Sequence, residues 1–194
     1  GVKQIAQDPA TRCSTGRPDL LGCGFAMSQH LDGLFSKPSR WPDARIRIGV
    51  SSCLLGERVR WDGRHKQDDW IVERLARWVD LVPFCPEFEA GMGIPREPVR
   101  LVSVGSEIRM ISVHTRRDWT TVMRRTARLR IRQLERLDLS GYVLKKDSPS
   151  CGLERVPVQR LVGTPPRRAS GLFARELTRT MPHLPVQEEG ALRD

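Results

Sequence analysis

Three short apolar runs in this chain each lead into a cysteine, and that repeated ending restricts the fold more than any other feature. Ile46-Arg47-Ile48-Gly49-Val50 passes into Ser51-Ser52-Cys53. Asp80-Leu81-Val82-Pro83-Phe84 is followed by Cys85, and Gly141-Tyr142-Val143-Leu144 runs on to Ser148-Pro149-Ser150-Cys151-Gly152. Runs rich in β-branched and aromatic residues, bounded by Gly, Pro and Ser, read as buried strands. Helical spacing appears between and after them. Ile71, Leu75 and Trp78 mark one helix over Trp70–Trp78. Trp119, Val122, Met123, Thr126, Leu129, Ile131 and Leu134 define one broad face over Asp118–Leu137, and a last helix covers Ser170–Thr180. Arg100–Gly105 and Ile108–Val113 read as a hairpin. This alternation predicts an α/β fold, a single three-layer Rossmann-like domain with a mainly parallel sheet. Sites in such sheets form at the carboxyl ends of strands near a topological switch point. All three cysteines are expected there.

The predicted domain covers residues 45–194. Residues 1–44 hold Asp8-Pro9, Arg17-Pro18, Gly22-Cys23-Gly24, Lys37-Pro38 and Trp41-Pro42 with little periodicity, and are expected to be a flexible N-terminal arm with one short helix near Met27–Phe35. Cys13 and Cys23 belong to that arm. The chain opens on Gly1 rather than Met, which reads as a processed start. No apolar run nears the roughly 18 residues that cross a bilayer, and no charged-then-apolar leader opens the chain, so a cytoplasmic protein without a membrane partner is expected.

With 33 Lys+Arg against 23 Asp+Glu, the chain carries +10. Such a basic chain attracts polyanions, nucleic acid foremost. Arg116, Arg117, Arg124, Arg125, Arg128, Arg130, Arg132 and Arg136 crowd the predicted long helix, either as a phosphate-contacting stripe or as a solvated charged face; Arg167-Arg168 would extend it. Aromatic residues make up 6% of the chain, with one Tyr, which argues against an aromatic platform for single strands.

Five cysteines at wide spacing do not form a disulfide framework. Cys53, Cys85 and Cys151 are 32 and 66 residues apart, and none belongs to a CxxC pair. Three converging thiolates suit a [4Fe–4S] cluster with one iron left open. The residues alone leave three further readings: unrelated buried thiols, a zinc site, or a cysteine nucleophile served by His65 or His114.

Longer motifs narrow this. Ser52-Cys53-Leu54-Leu55-Gly56, Val59-Arg60-Trp61-Asp62-Gly63 and His65-Lys66 form the first. Val82-Pro83-Phe84-Cys85-Pro86-Glu87, Glu89-Ala90-Gly91-Met92-Gly93 and Pro95-Arg96 form the second, and Leu144-Lys145-Lys146-Asp147-Ser148-Pro149-Ser150-Cys151-Gly152 the third. Together they resemble the thiouracil desulfidase family, from about Ile46 to Asp194. The resemblance implies a [4Fe–4S] cluster on Cys53, Cys85 and Cys151, whose remaining iron takes the thiocarbonyl sulfur of a thiolated pyrimidine. The Glu89–Arg100 stretch and Leu184–Gly190 resemble a longer subgroup, in which a second domain follows and sulfur is removed from 4-thiouridine in tRNA. This chain ends where that domain would begin.

Replacing C=S by C=O with release of hydrogen sulfide needs water and an acid/base group, but no external electrons. Glu87, two residues after Cys85, is the expected acid/base carboxylate, with a helix N-terminal carboxylate as the alternative. Ser148 and Ser150 are expected to donate hydrogen bonds to substrate or cluster, or else to cap a turn. Lys145 is expected to stabilise negative charge on the base, or else to be a solvated strand-end lysine. Asp62, His65 and Lys66 are expected to close the pocket, and Asp118 with Thr120 to begin a helix. The rival function is a non-catalytic tRNA-binding or metal/redox-regulatory module.

Overall fold

β1 (Arg47–Ser51) is the strand around which the rest is organised. Its alternation sends Ile48 and Val50 to one face and Gly49 and Ser51 to the other. β2 (Asp80–Phe84) and β5 (Leu139–Leu144) pair with it on either side, both parallel, and β8 (Val186–Glu188) adds in parallel outside β5. The sheet order is β2-β1-β5-β8. The chain steps from β1 to one side and then back across it, so the topological switch lies at the carboxyl end of β1. Gly49 is required here. A Cβ at this position would stand 2.2 Å from the ring of Tyr142, which fills that space against the strand.

The computed structural model describes residues 46–160 and 167–193, which fall within one compact unit. The N-terminal arm expected over 1–44, including Cys13 and Cys23, lies outside the described residues.

Helices cover both faces of the parallel sheet, giving the three layers expected. On one face, Val50, Val143 and Leu54 pack with Ile71 of α1 (Asp69–Glu73). Asp68 caps α1 by accepting the Ile71 N–H at 3.2 Å. On the other face, Phe84, Tyr142 and Leu144 pack with Ala127, Ile131 and Leu134 of α3 (Thr120–Glu135) and with Phe173, Ala174 and Leu177 of α4 (Leu172–Thr180). Asp118 accepts the Thr120 N–H at 2.8 Å, the helix start expected there.

Two helical expectations need correction. α1 ends at Glu73, and a separate 3₁₀ turn covers Leu75–Arg77, because Asp80 must already pair with Ile46 through its N–H (2.8 Å). That turn leaves Trp78 58% exposed. On α3 the buried residues are Thr120, Met123, Ala127, Ile131 and Leu134, a narrower stripe than the apolar residues suggest. Val122 and Leu129 lie outside it, on the solvent side.

A second sheet, order β4-β3-β6-β7, is built by two excursions that leave from the carboxyl ends of β2 and β5. β3 (Val99–Val104) and β4 (Glu107–Ser112) are the expected hairpin. β6 (Val156–Arg160) joins β3 in parallel, and β7 (Arg167–Ala169) closes on β6 in antiparallel. Leu101, Met110, Trp119, Met123, Val156, Val158 and Leu172 form its core. No helix among the described residues is long and apolar enough to cross a membrane.

Candidate active site

Each cysteine leaves the parallel sheet on a different device. Cys53 sits in a 3₁₀ turn (Ser52–Leu55) directly after β1, closed by Gly56 at φ 91°. Cys85 precedes α2 (Pro86–Glu89), and the N–H groups of Glu87 and Phe88 point at its sulfur. Cys151 ends the loop after β5. Ser148 organises that loop, its Oγ accepting the N–H groups of Ser150 and Cys151, both at 3.2 Å. The turn-capping role foreseen for Ser148 is therefore occupied, while its own hydroxyl proton is left for another acceptor.

α4 fixes the same loop from behind. The carbonyl of Pro149 accepts the Leu172 N–H, and that of Ser150 accepts those of Phe173 and Ala174, at 3.0–3.1 Å. So close an approach requires Gly171, where a Cβ would stand 2.4 Å from the Ser150 oxygen. A Gly171→Ala variant is expected to lose about 1–3 kcal/mol of stability and to take up less iron per chain. Gly190→Ala, at a position with open space around it, is the comparison. Thermal melting and iron analysis of both variants check this.

The thiols are free and electrostatically coupled. Burial, with the charge of Cys85, pushes Cys53 up to about 12. Burial likewise raises Cys85 to about 11. Cys151, fully enclosed, is raised further by burial and by both other cysteines, against a hydrogen bond from Ser51. The three thiols thus feel one another's charge across the strand ends. Among the described residues, no three His, Cys, Asp or Glu side chains are grouped closely enough to hold a metal ion. Lys145 and Arg60 oppose the rise at Cys53, so cations face the thiol group.

Lys145 is not a solvated strand-end lysine. Its Nζ ion-pairs with Glu189, and its backbone N–H donates to Ser51 Oγ at 3.0 Å. Glu189 is buried and also accepts the Lys146 N–H at 2.8 Å; Glu188 accepts the Leu153 N–H at 2.8 Å. The two carboxylates of the C-terminal segment therefore hold both ends of the Cys151 loop.

Glu87 is held more tightly still. Ser150, fully buried, donates its hydroxyl to Oε1 at 2.7 Å. Arg96 donates to Oε2 from Nη2 at 2.6 Å and from Nε at 3.1 Å. The same Nη2 reaches the Val59 carbonyl at 3.0 Å, an oxygen that also takes the Cys85 thiol at 3.8 Å. Arg96 and Glu87 are 5% and 12% exposed, so the pair is shielded from water. The sequence held no sign of Arg96 as the partner of Glu87 beyond its place in a motif. The same holds for Ser51 and Glu189. His65 and His114 are both exposed, and among the described residues neither is hydrogen-bonded to a cysteine: Gln67 donates to the His65 ring, and the His114 N–H goes to Glu97. Asp62 pairs with Arg60 at 3.3 Å, and Arg60 is, after Lys145, the second cation that acts on Cys53.

A family model described as 2-thiouracil desulfurase matches residues 48–189, which spans all three cysteine loops and the Glu189 contact. The chain belongs to the 2-thiouracil desulfurase family. It is similar to the uncharacterised protein YbbK of Bacillus subtilis (strain 168), at 31% identity over 110 residues, covering 54% of this chain and 72% of that one. Among solved structures it is similar to the [4Fe–4S]-dependent thiouracil desulfidase TudS, with a TM-score of 0.63 and 29% identity, covering 77% of this chain and 94% of that one.

Proposed function

We infer that this family member is a desulfidase that exchanges the thiocarbonyl sulfur of a thiolated uracil or uridine for oxygen and releases hydrogen sulfide. The observation that carries this is the placement of Cys53, Cys85 and Cys151, half-buried or buried, on the three loops that leave the carboxyl ends of β1, β2 and β5, where the thiols feel one another's charge. In its chemistry the donor set suits a [4Fe–4S] cluster, whose thiolate ligands stand further apart than those of a single ion. It offers three thiols on three separate loops, N–H groups aimed at Cys85, a hydroxyl on Cys151 and cations beside Cys53. Similarity to a protein that is itself [4Fe–4S]-dependent supports the same reading. When bound by Cys53, Cys85 and Cys151, such a cluster supplies a soft Lewis-acidic iron suited to thiocarbonyl sulfur.

The chain's own residues supply the rest. Glu87, with one oxygen fixed by Arg96 and the other by Ser150, presents an oriented carboxylate that takes a proton from the attacking water. Ser150 and Ser148 flank it, and the Ser148 hydroxyl proton is available to the pyrimidine. Lys145, pinned by Glu189, offsets the negative charge that builds on the ring as water adds. Protein groups thereby move the proton and hold the base, while net water addition and sulfide loss balance the reaction without an external reductant. Thiols kept reduced for a cluster suit a reducing compartment, which supports the reading of a cytoplasmic protein.

The finer reading is that the pyrimidine is 4-thiouridine within tRNA. The arginines of α3 favour a polynucleotide over a free base alone. Anaerobically purified protein should release sulfide from 2-thiouracil or from 4-thiouridine, in proportion to its iron content. Iron binding without sulfide release from either would instead mark a regulatory or RNA-binding module, and zinc in place of iron would overturn the cluster assignment.

A further inference from the structure

The fold separates the arginines around α3 into two groups. Arg130 turns inward, donating to the Pro83 carbonyl at 3.2 Å and lying over the Phe84 ring at 5.1 Å. Arg117 stacks on Trp119 at 3.9 Å, before the helix begins. The others that matter are on the opposite side. Arg124, Arg125, Arg128 and Arg132, with Thr121 and Leu129, line one open depression of about 390 Å³ on the outer surface of α3.

Their register is informative. Arg124, Arg128 and Arg132 recur every fourth residue, and Arg125 lies beside them. Like charges four residues apart on one helix face repel, so the fold gains nothing from this row. Two of its members are partly compensated, Arg124 by Glu107 and Arg128 by Glu176, both at 3.0 Å. Among the described residues, Arg125 and Arg132 have no ion-pair partner. At 1.5 Å rise per residue, four residues advance about 6 Å along the axis, a separation comparable to that of successive phosphates on one nucleic-acid strand. Leu129, 53% exposed, gives the row an apolar element against which a sugar can rest.

We propose that the outer face of α3 docks the phosphate backbone of a single RNA strand through Arg124, Arg125, Arg128 and Arg132. The choice of RNA rests on the proposed action on thiolated uridine, and the docking surface is separate from the residues assigned to the chemistry. Charge and spacing both fit a strand of regularly placed monoanions better than an acidic polypeptide, whose carboxylates have no fixed interval.

Fluorescence anisotropy with a labelled, unmodified RNA of about 20 nucleotides tests this. Arg125→Gln/Arg128→Gln/Arg132→Gln should bind at least tenfold more weakly, and its salt slope should be shallower by about 2, as expected for three lost contacts to a single strand. Arg125→Gln/Arg132→Gln, which breaks no ion pair, should move in the same direction with an unchanged melting temperature. Arg74→Gln/Arg77→Gln, at exposed arginines that follow α1, should bind like the parent. Sulfide release from free 2-thiouracil should be equal in parent and variants. A parent protein with no measurable RNA affinity, variants that bind as the parent does, or equal competition by polyglutamate would each overturn the proposal. Failure of the parent to release sulfide from 2-thiouracil would count against the proposed reaction and not against the docking surface.

Discussion

Replacing any one of Cys53, Cys85 or Cys151 by serine is expected to abolish the iron–sulfur chromophore and lower sulfide release by more than about a thousandfold, on the order of 4 kcal/mol of lost transition-state stabilisation. The reason lies in how the three thiols are placed. Each is carried by a different loop, so no neighbour on the same loop is available to substitute. Serine preserves size and a hydrogen-bonding group but is a hard oxygen ligand in place of a soft thiolate. Cys151 should be the most severe, because it is the most enclosed and feels both of the others. The measurement is iron and acid-labile sulfide per chain, after anaerobic reconstitution, alongside activity and a melting curve. Full iron and full turnover in any single variant would refute the shared-cluster assignment.

Glu87→Gln is expected to do something different: keep the iron and lose the turnover. The amide oxygen still accepts from buried Arg96, and Ser150 Oγ can accept from the amide nitrogen, so the hydrogen-bond frame closes around a neutral side chain. The acid/base function does not survive, and kcat should fall by about 10² to 10⁴. Substrate affinity should change much less. A variant with parental kcat would remove Glu87 from the reaction and leave it as a structural partner of Arg96. Loss of iron along with activity would show instead that the Arg96–Glu87–Ser150 network builds the thiol site rather than serving the substrate.

Much of the frame around this site was readable from the chain. A buried parallel strand has a plain signature, and Ile46–Val50 and Gly141–Leu144 carry it. The hairpin at β3 and β4 and the two long helices were equally plain. β8 was not. Val186–Glu188 is three residues within a Pro-bounded tail, and it is a strand only because the exposed edge of β5 offers it a partner. The buried face of α3 was misjudged for a related reason. Apolar residues mark where burial is permitted, but packing against the sheet selects Ala127 and leaves Leu129 outside. Within the site, the cysteines and Glu87 stood out because motif and chemistry coincide in them. Arg96, Ser51 and Glu189 act through partners distant in the sequence. Glu189 meets Lys145 across 44 positions, and nothing in local spacing announces such a pairing.

The grip of α4 and the C-terminal carboxylates on the Cys151 loop bears on when the protein can mature. A nascent chain that has emerged only as far as residue 170 already owns every thiol of the site, yet it lacks the amides of Leu172 to Ala174 and the side chains of Glu188 and Glu189 that give the third loop its form. The ribosome must therefore finish this stretch before iron delivery can find a completed receptacle. Assembly of the metallocentre thus waits on residues that contribute no sulfur to it.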